Sequence, residues 1–367
     1  MEKPSTDNRI VMTLDAGGTN LVFSAVCDNR LIIDPITLPS SGNDLDRCLQ
    51  SMVHGFEAVK QLLPQPPVAI SFAFPGPADY PNGIIGGNLP NFPAFRSGVA
   101  LGPFLQDKFG IPVFINNDGD LFAYGEAFAG RLPEINAKLE ALGSPKRYHN
   151  LIGYTFGTGF GVGIVSGGRL HIGDNSCVET FCLYNCIDTG NIAEATVSAG
   201  GIRREYARLT GNNAEIDTKE IYDIADGTRE GDQQAAQQAF ATFGTVAGHA
   251  IAAAASLIDG IVVLGGGVAH GHKFFMPALM AQLRGTRLNY NGDVFGCVQP
   301  QVYNLDDEQE FNQFAQGNAH KLQVYGSKRL VDYDPHKRIG ITLSRIGSSR
   351  AIQLGAAAYA LNNIPQL

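Results

Sequence analysis

Two segments of the chain, about 140 residues apart, repeat one pattern of apolar and polar positions. Residues 10–14 are an apolar run, DAGGT interrupts it, and 21–26 form a second run. Cys27-Asp28-Asn29 then turns the chain into a third at 31–33. Residues 151–156, a GTG turn, 160–165, an SGG turn and 170–172 follow the same order. Short apolar runs bounded by Gly, Asp and Asn predict strands. The recurrence points to a duplicated domain plan rather than to two unrelated glycine hairpins.

Between the copies, Leu45, Leu49, Met52, Val53, Phe56 and Val59 fall at helical spacing and predict a helix over 45–63, stopped by Pro64, Pro66 and Pro67. Residues 68–74 read as a buried strand ended by PGP, 83–95 as a loop, 111–115 as a strand, and 121–128 as the start of a helix. After the second copy, 198–209, 218–225 and 235–257 read as helices. In the last, Phe240, Phe243, Val246, Ala250, Ala254 and Leu257 lie near one face. A strand at 260–264 runs straight into Gly265-Gly266-Gly267, and an alanine-rich helix over 351–361 closes the pattern. Strands alternating with helices predict an α/β class with partly parallel sheets. Residues 284–338 are polar and weakly periodic, and read as an insertion or lid-like segment.

Composition sharpens this picture in one respect. Glycine supplies 44 of 367 residues, well above the usual ~7%. It has no triplet period and sits between apolar runs, as expected for tight turns and close backbone approach. With 27 Lys and Arg against 35 Asp and Glu the net charge is −8, and no basic cluster predicts a nucleic-acid surface. Six cysteines in a chain this long do not read as a disulfide framework. No signal-like stretch or 18-residue apolar run is present, so a cytoplasmic protein without a membrane partner is expected.

Several turns could carry chemistry. At Asp15–Thr19, two glycines would let backbone approach an oxyanion, Thr19 could donate a hydroxyl, and Asp15 could hold a hydrated Mg2+. An ordinary Asp-Gly hairpin turn explains the same residues. Gly157, Thr158 and Gly159 offer the same tools on the second copy, and two facing loops could grip a polyphosphate. Gly266 and Gly267 would let a flat purine lie against the backbone, or simply make a tight strand-to-helix turn. Asn116-Asn117-Asp118 ends a strand where open α/β sheets bind ligands. Asp118 could be a general base beside Asn117, or a helix cap. Glu179 and Glu194 flank a cysteine-containing loop and could accept sugar hydroxyls, or be solvated.

Taken together and in order, VMTLDAGGTN, FAFPGPAD, GGNLPNF, VFINNDGDLFAYGEAFAG, YTFGTGFGVGIV, IVVLGGGV and SSRAIQLGAAAYAL resemble the ROK family of sugar kinases and repressors. The resemblance implies a two-domain actin-like/ribonuclease H-like ATPase fold, with duplicated mixed β-sheet domains and an interdomain cleft. The domains would be 1–118 plus 351–367, and 119–350. It implies ATP-dependent phosphorylation of a hexose-type sugar, with ATP and Mg2+ as cofactors and a homodimer as the assembly. The alternative is a non-catalytic sugar-binding or regulatory homologue.

By motif, Asp118 matches the catalytic base. Gly76, Asn88, Asn117, Glu179 and Glu194 match sugar contacts. Asp15, Gly17, Gly18, Thr19 and Asn20 match the first phosphate segment, Gly157, Thr158 and Gly159 the second, and Gly265, Gly266 and Gly267 the adenosine segment. The family's zinc site is a His shortly after the first Glu, followed by closely spaced cysteines. Here Glu179 is followed by Thr180-Phe181-Cys182, and Ile192 stands where the final cysteine is expected. Cys177, Cys182 and Cys186 are irregularly spaced and His171 is remote, so zinc is not expected.

Overall fold

The computed structural model describes residues 7–76, 78–211 and 216–364. Pro77 of the PGP sequence lies outside them, as does the end of the 351–367 segment. Two six-stranded sheets form the frame. In the first, Val11–Ala16 pairs antiparallel with Asn20–Cys27, which turns into Arg30–Leu31 and also pairs with Ile36–Pro39. On its other side Val11–Ala16 pairs parallel with Ala69–Ala73, and that strand with Val113–Asn116. In the second, Leu151–Phe156 pairs antiparallel with Phe160–Ser166, which turns into Arg169–Leu170. Leu151–Phe156 also pairs parallel with Ile261–Gly265, which continues through Arg338–Leu343 to Gln301–Asn304. Five strands of each sheet therefore share one order and one set of directions.

Burial explains why these runs are strands. Ala69–Ala73 and Ile261–Gly265 are buried along their whole length, as continuous apolar runs in parallel sheets must be. Leu45–Leu62 lays Cys48, Met52, Phe56 and Val59 into the first core against Phe23 and Phe72. Gln233–Ile258 is long and apolar enough to cross a bilayer. Here Phe240, Phe243, Val246, Ala250 and Ile251 sit in the second core, beside Phe275 and Leu279, so its apolarity serves packing.

Two helices join the halves. Asp118–Phe128 starts directly after Val113–Asn116 of the first sheet but lies on the second, where Gly119 meets the Val162 backbone and Ala123 meets Gly153. Ser348–Asn363 lies on the first sheet through Leu354, Ala357 and Ala360 against Val11, Val26 and Ala69. The two helices cross where Gly125 faces the Ala351 backbone and Gly355 faces the Leu121 backbone, positions with no room for a Cβ.

The 284–338 stretch is less of an insertion than its polarity predicts. Gln301–Asn304 is a strand of the second sheet, and Asp306 fixes the segment beyond it. Its carboxylate accepts from Arg131 Nη2 at 3.0 Å, from Thr342 Oγ1 at 2.9 Å and from the Leu343 N–H at 2.7 Å. What projects is two hairpins, Thr286–Leu288 with Val294–Gly296 and His320–Gln323 with Leu330–Tyr333. The helices Leu101–Phe109, Arg131–Ala141 and Glu308–Gln316 also escape the periodicity reading.

Candidate active site

Strand register brings the candidate residues to one level. Asp15 is opposite Ala73, and Ala73 opposite Asn116. The carboxyl ends of three parallel strands thus place Asp15 and Asn116 about 10 Å apart across one intervening strand. Asp118 stands two residues further on, at the first position of its helix. Asn117 is the cap, its Oδ1 accepting the Gly119 N–H at 2.8 Å, while Asp118 Oδ1 accepts the same N–H at 2.9 Å. The capping role weighed for Asp118 therefore falls mainly to its neighbour.

Around Asp118 the structure collects carboxylates that act on one another. Asp118 is exposed to solvent, yet the protein atoms crowded around its carboxyl raise it above the ordinary 3.8 against the opposing pull of the Gly119 N–H. Burial, then Asp118, raises Asp15. Burial pushes Glu179 up to about 7, with Asp118 and Glu194 adding to it. Glu194 turns one oxygen inward: Oε2 accepts the Phe160 N–H at 2.8 Å and lies where a Cβ on Gly159 would come within 2.8 Å of it.

Two members of this cluster escape a motif reading. Asp120 is buried and is pushed well above 3.8 by burial, then by Glu179 and Asp118. The only signal in the sequence is its place two residues after Asp118. Tyr80 donates to the Phe74 carbonyl at 2.9 Å and lies within hydrogen-bond reach of Asn117. Gly76 sits beside it, with room for a Cβ limited to 2.9 Å from the Tyr80 hydroxyl. Asn88 is exposed and accepts from Arg96 Nη2 at 3.4 Å.

The glycine turns separate into distinct roles. The turn from Gly17 to Asn20 is closed by the Gly17 N–H donating to the Asn20 carbonyl at 2.9 Å; Thr19 is exposed, and Gly18 packs on the Asn91 side chain. On the second sheet, Gly157, Thr158 and Gly267 line one cavity of about 590 Å³, walled by Thr218, Tyr222 and Phe240. Gly157 and Gly267 have open space where a Cβ would be. Gly265 and Gly266 are glycines for internal reasons: Gly265 packs on the Phe122 ring, and Gly266 has φ +91° against the Phe156 backbone. The Gly266 N–H donates to Ser348 Oγ at 2.7 Å. A larger cavity of about 610 Å³, lined by Lys146, His149, Asp259 and Lys337, sits at the opposite, amino ends of the second sheet's strands.

A family model described as "ROK family" matches residues 11–300. The chain is 26% identical over 288 residues to a glucokinase of Thermotoga maritima, covering 72% of this chain and 84% of that one. It is 26% identical over 273 residues to an N-acetylgalactosamine kinase of a Shewanella species, covering 70% and 80%. A crystal structure of a glucokinase from Parabacteroides distasonis is 51% identical, covers 99% of this chain and 100% of its own, and superposes with a TM-score of 0.91.

Proposed function

The chain belongs to the ROK family and is an ATP-dependent carbohydrate kinase of the actin-like ATPase fold; we propose that its acceptor is a hydroxyl of a hexose-type sugar and its general base Asp118. The observation that carries this reading is the division of the site. A nucleotide-sized cavity bordered by Gly157, Thr158 and Gly267 lies beyond one sheet. A carboxylate cluster centred on Asp118 lies where the other sheet meets its neighbour.

Phosphoryl transfer needs alignment and charge neutralisation more than covalent help from the protein. Asp118 takes the proton of the attacking hydroxyl, and its raised pKa brings it nearer the working pH, where a base is most effective. Glu179 and Glu194 hold neighbouring hydroxyls, with Gly76, Asn88 and Asn117 completing the sugar side. Backbone at Gly17–Asn20 and Gly157–Gly159 steadies the phosphates, and the segment ending at Gly267 borders the base. Asp15 and Asp118 are hard oxygen donors near enough for Asp118 to raise the Asp15 carboxyl, a donor set that suits Mg2+. Asp15 would hold it through water, and a bound Mg2+ supplies charge neutralisation on the phosphates. A homodimer, a cytoplasmic setting and a division into 1–118 plus 351–367 and 119–350 go with this reading.

The test is ADP release over a panel of hexoses and N-acetylhexosamines, for wild type and Asp118→Asn. A productive sugar should emerge, with turnover falling about 10²- to 10⁴-fold in the variant. Wild-type turnover in Asp118→Asn would refute the base assignment. Sugar binding without ADP release by wild type would instead favour a regulatory homologue.

A further inference from the structure

The loop that carries both candidate sugar carboxylates does not suit the metal that the family resemblance implies. Cys177 and Cys182 are exposed, and Cys186 is turned half-buried against the second core. The Cys177 thiol points to its neighbour, the Asn175 carbonyl, at 3.1 Å. Among the described residues no three His, Cys, Asp or Glu side chains cluster as metal ligands.

A different residue occupies the middle of the loop. Asn185 is fully buried. Its Nδ2 donates to Thr196 Oγ1 at 2.9 Å and to the Ile192 carbonyl at 3.3 Å. Its Oδ1 accepts the Ile187 N–H at 3.2 Å and the Asp188 N–H at 3.3 Å. Two donors and two lone pairs are the whole capacity of an amide side chain, so this one is saturated. The bonds tie the two ends of the loop together where Tyr184 and Ile192 form a bridge. Alongside, the Ala193 N–H donates to the Leu183 carbonyl at 2.8 Å and the Glu194 N–H to the Phe181 carbonyl at 3.1 Å. Glu179 lies immediately before this closed unit and Glu194 within it.

We propose that Asn185 is a positioning residue: its four hydrogen bonds, with Thr196 as partner, fix the 180–196 loop without a metal and so place Glu179 and Glu194 for the sugar. This rests on the sugar-kinase reading for its consequence, but the clasp itself can be measured without any sugar. A buried polar network with every member satisfied is rigid. Truncating its centre leaves the Ile187 N–H without its acceptor and Thr196 Oγ1 without its donor, while the Asp188 N–H keeps the Asn185 backbone carbonyl at 3.3 Å and the Ile192 carbonyl keeps the Ala195 N–H at 3.1 Å.

The experiment has three arms on the full chain. Elemental analysis of the purified protein should find zinc far below one atom per chain, and a zinc chelator with Mg2+ restored should leave activity unchanged. Amide hydrogen exchange at Ile187 should be slow in wild type and markedly faster in Asn185→Ala, without sugar present, while Asp188, which keeps the backbone carbonyl of residue 185, should change less. Steady-state kinetics should show the sugar KM of Asn185→Ala raised about tenfold or more, with the ATP KM within about twofold. Thr196→Val, which removes one acceptor only, should show a smaller shift in the same direction and guards against a variant that fails to fold. One tightly held zinc per chain, or unchanged amide exchange in Asn185→Ala, overturns the clasp. An unchanged sugar KM in both variants overturns its positioning role. If no sugar supports ADP release, the exchange arm still decides the clasp while the functional reading fails separately.

Discussion

Replacing Glu179 by Gln should stabilise the sugar-free protein at alkaline pH and weaken its grip on sugar. Burial, with Asp118 and Glu194 nearby, moves this carboxyl from 4.5 to about 7. The folded state therefore binds an extra proton between those values. The stability linked to this group is fully present below 4.5 and is lost as pH rises through about 7. Converted at full value the change is about 3 kcal/mol. Water in an open cleft screens it, and about 1 kcal/mol is the reasonable expectation. Gln keeps the shape and removes the charge, so the variant should melt about 2 °C above wild type at pH 8 and converge with it near pH 4.5. Thermal denaturation across that pH range is the assay, first without ligand. Repeated with the productive sugar, the gain should reverse, because ligand stabilisation grows with [L]/Kd and the variant has lost a charged acceptor. A variant that is less stable than wild type by the same margin at both pH values would refute the reasoning, since a plain packing defect has no pH dependence.

Three further outcomes follow from the packing around the site. Gly267→Val points a side chain into open space in the 590 Å³ cavity; the fold should survive while the ATP KM rises about tenfold and the sugar KM stays put, as initial rates at varied ATP would show. Gly119→Ala would put a Cβ 2.6 Å from the Val162 carbonyl oxygen; a cost of about 1–3 kcal/mol in denaturant unfolding is expected, with kcat falling because the same helix turn carries Asp118. Asp120→Asn should be tolerated, with any gain in melting temperature growing as pH rises, because burial and two carboxylates already oppose its ionised form; a loss that grows with pH would reveal an unrecognised cation beside it.

The contrast between Gly267 and Gly119 shows where a sequence stops speaking. Strand periodicity located the twin hairpins because each strand's own burial pattern writes it, as in the fully buried Ala69–Ala73 and Ile261–Gly265. Motif order singled out Asp118 and the glycine turns as candidates. The helix Arg131–Ala141 was hidden because Pro133 stands in its first turn, where proline is tolerated, and because its largest buried group is a charged one. Arg131 lies buried with Glu134 and Asp306 as partners. Glu308–Gln316 was hidden by the polarity around Phe311 and Phe314. Asp120 was missed because its character comes from burial in the folded chain and then from Glu179, 59 positions away.

Glycine abundance hid two opposite uses of the same residue. At Gly157 and Gly267 the missing Cβ leaves space open toward the cavity, so a substitution should be felt by the ligand. At Gly119, Gly125, Gly163 and Gly355 the missing Cβ is already filled by backbone of another element, so a substitution should be felt by the fold. These closely packed glycines draw Asp118–Phe128 against both the second sheet and Ser348–Asn363. That helix begins at the residue proposed to take the proton. Close packing therefore bears on catalysis: the position of Asp118 relative to the second glycine turn depends on Gly119 lying directly against the Val162 backbone, two residues beyond the Phe160 N–H that Glu194 accepts. Glycines packed inside the fold thus help to hold the proposed base, a proposed sugar carboxylate and the second glycine turn in one frame.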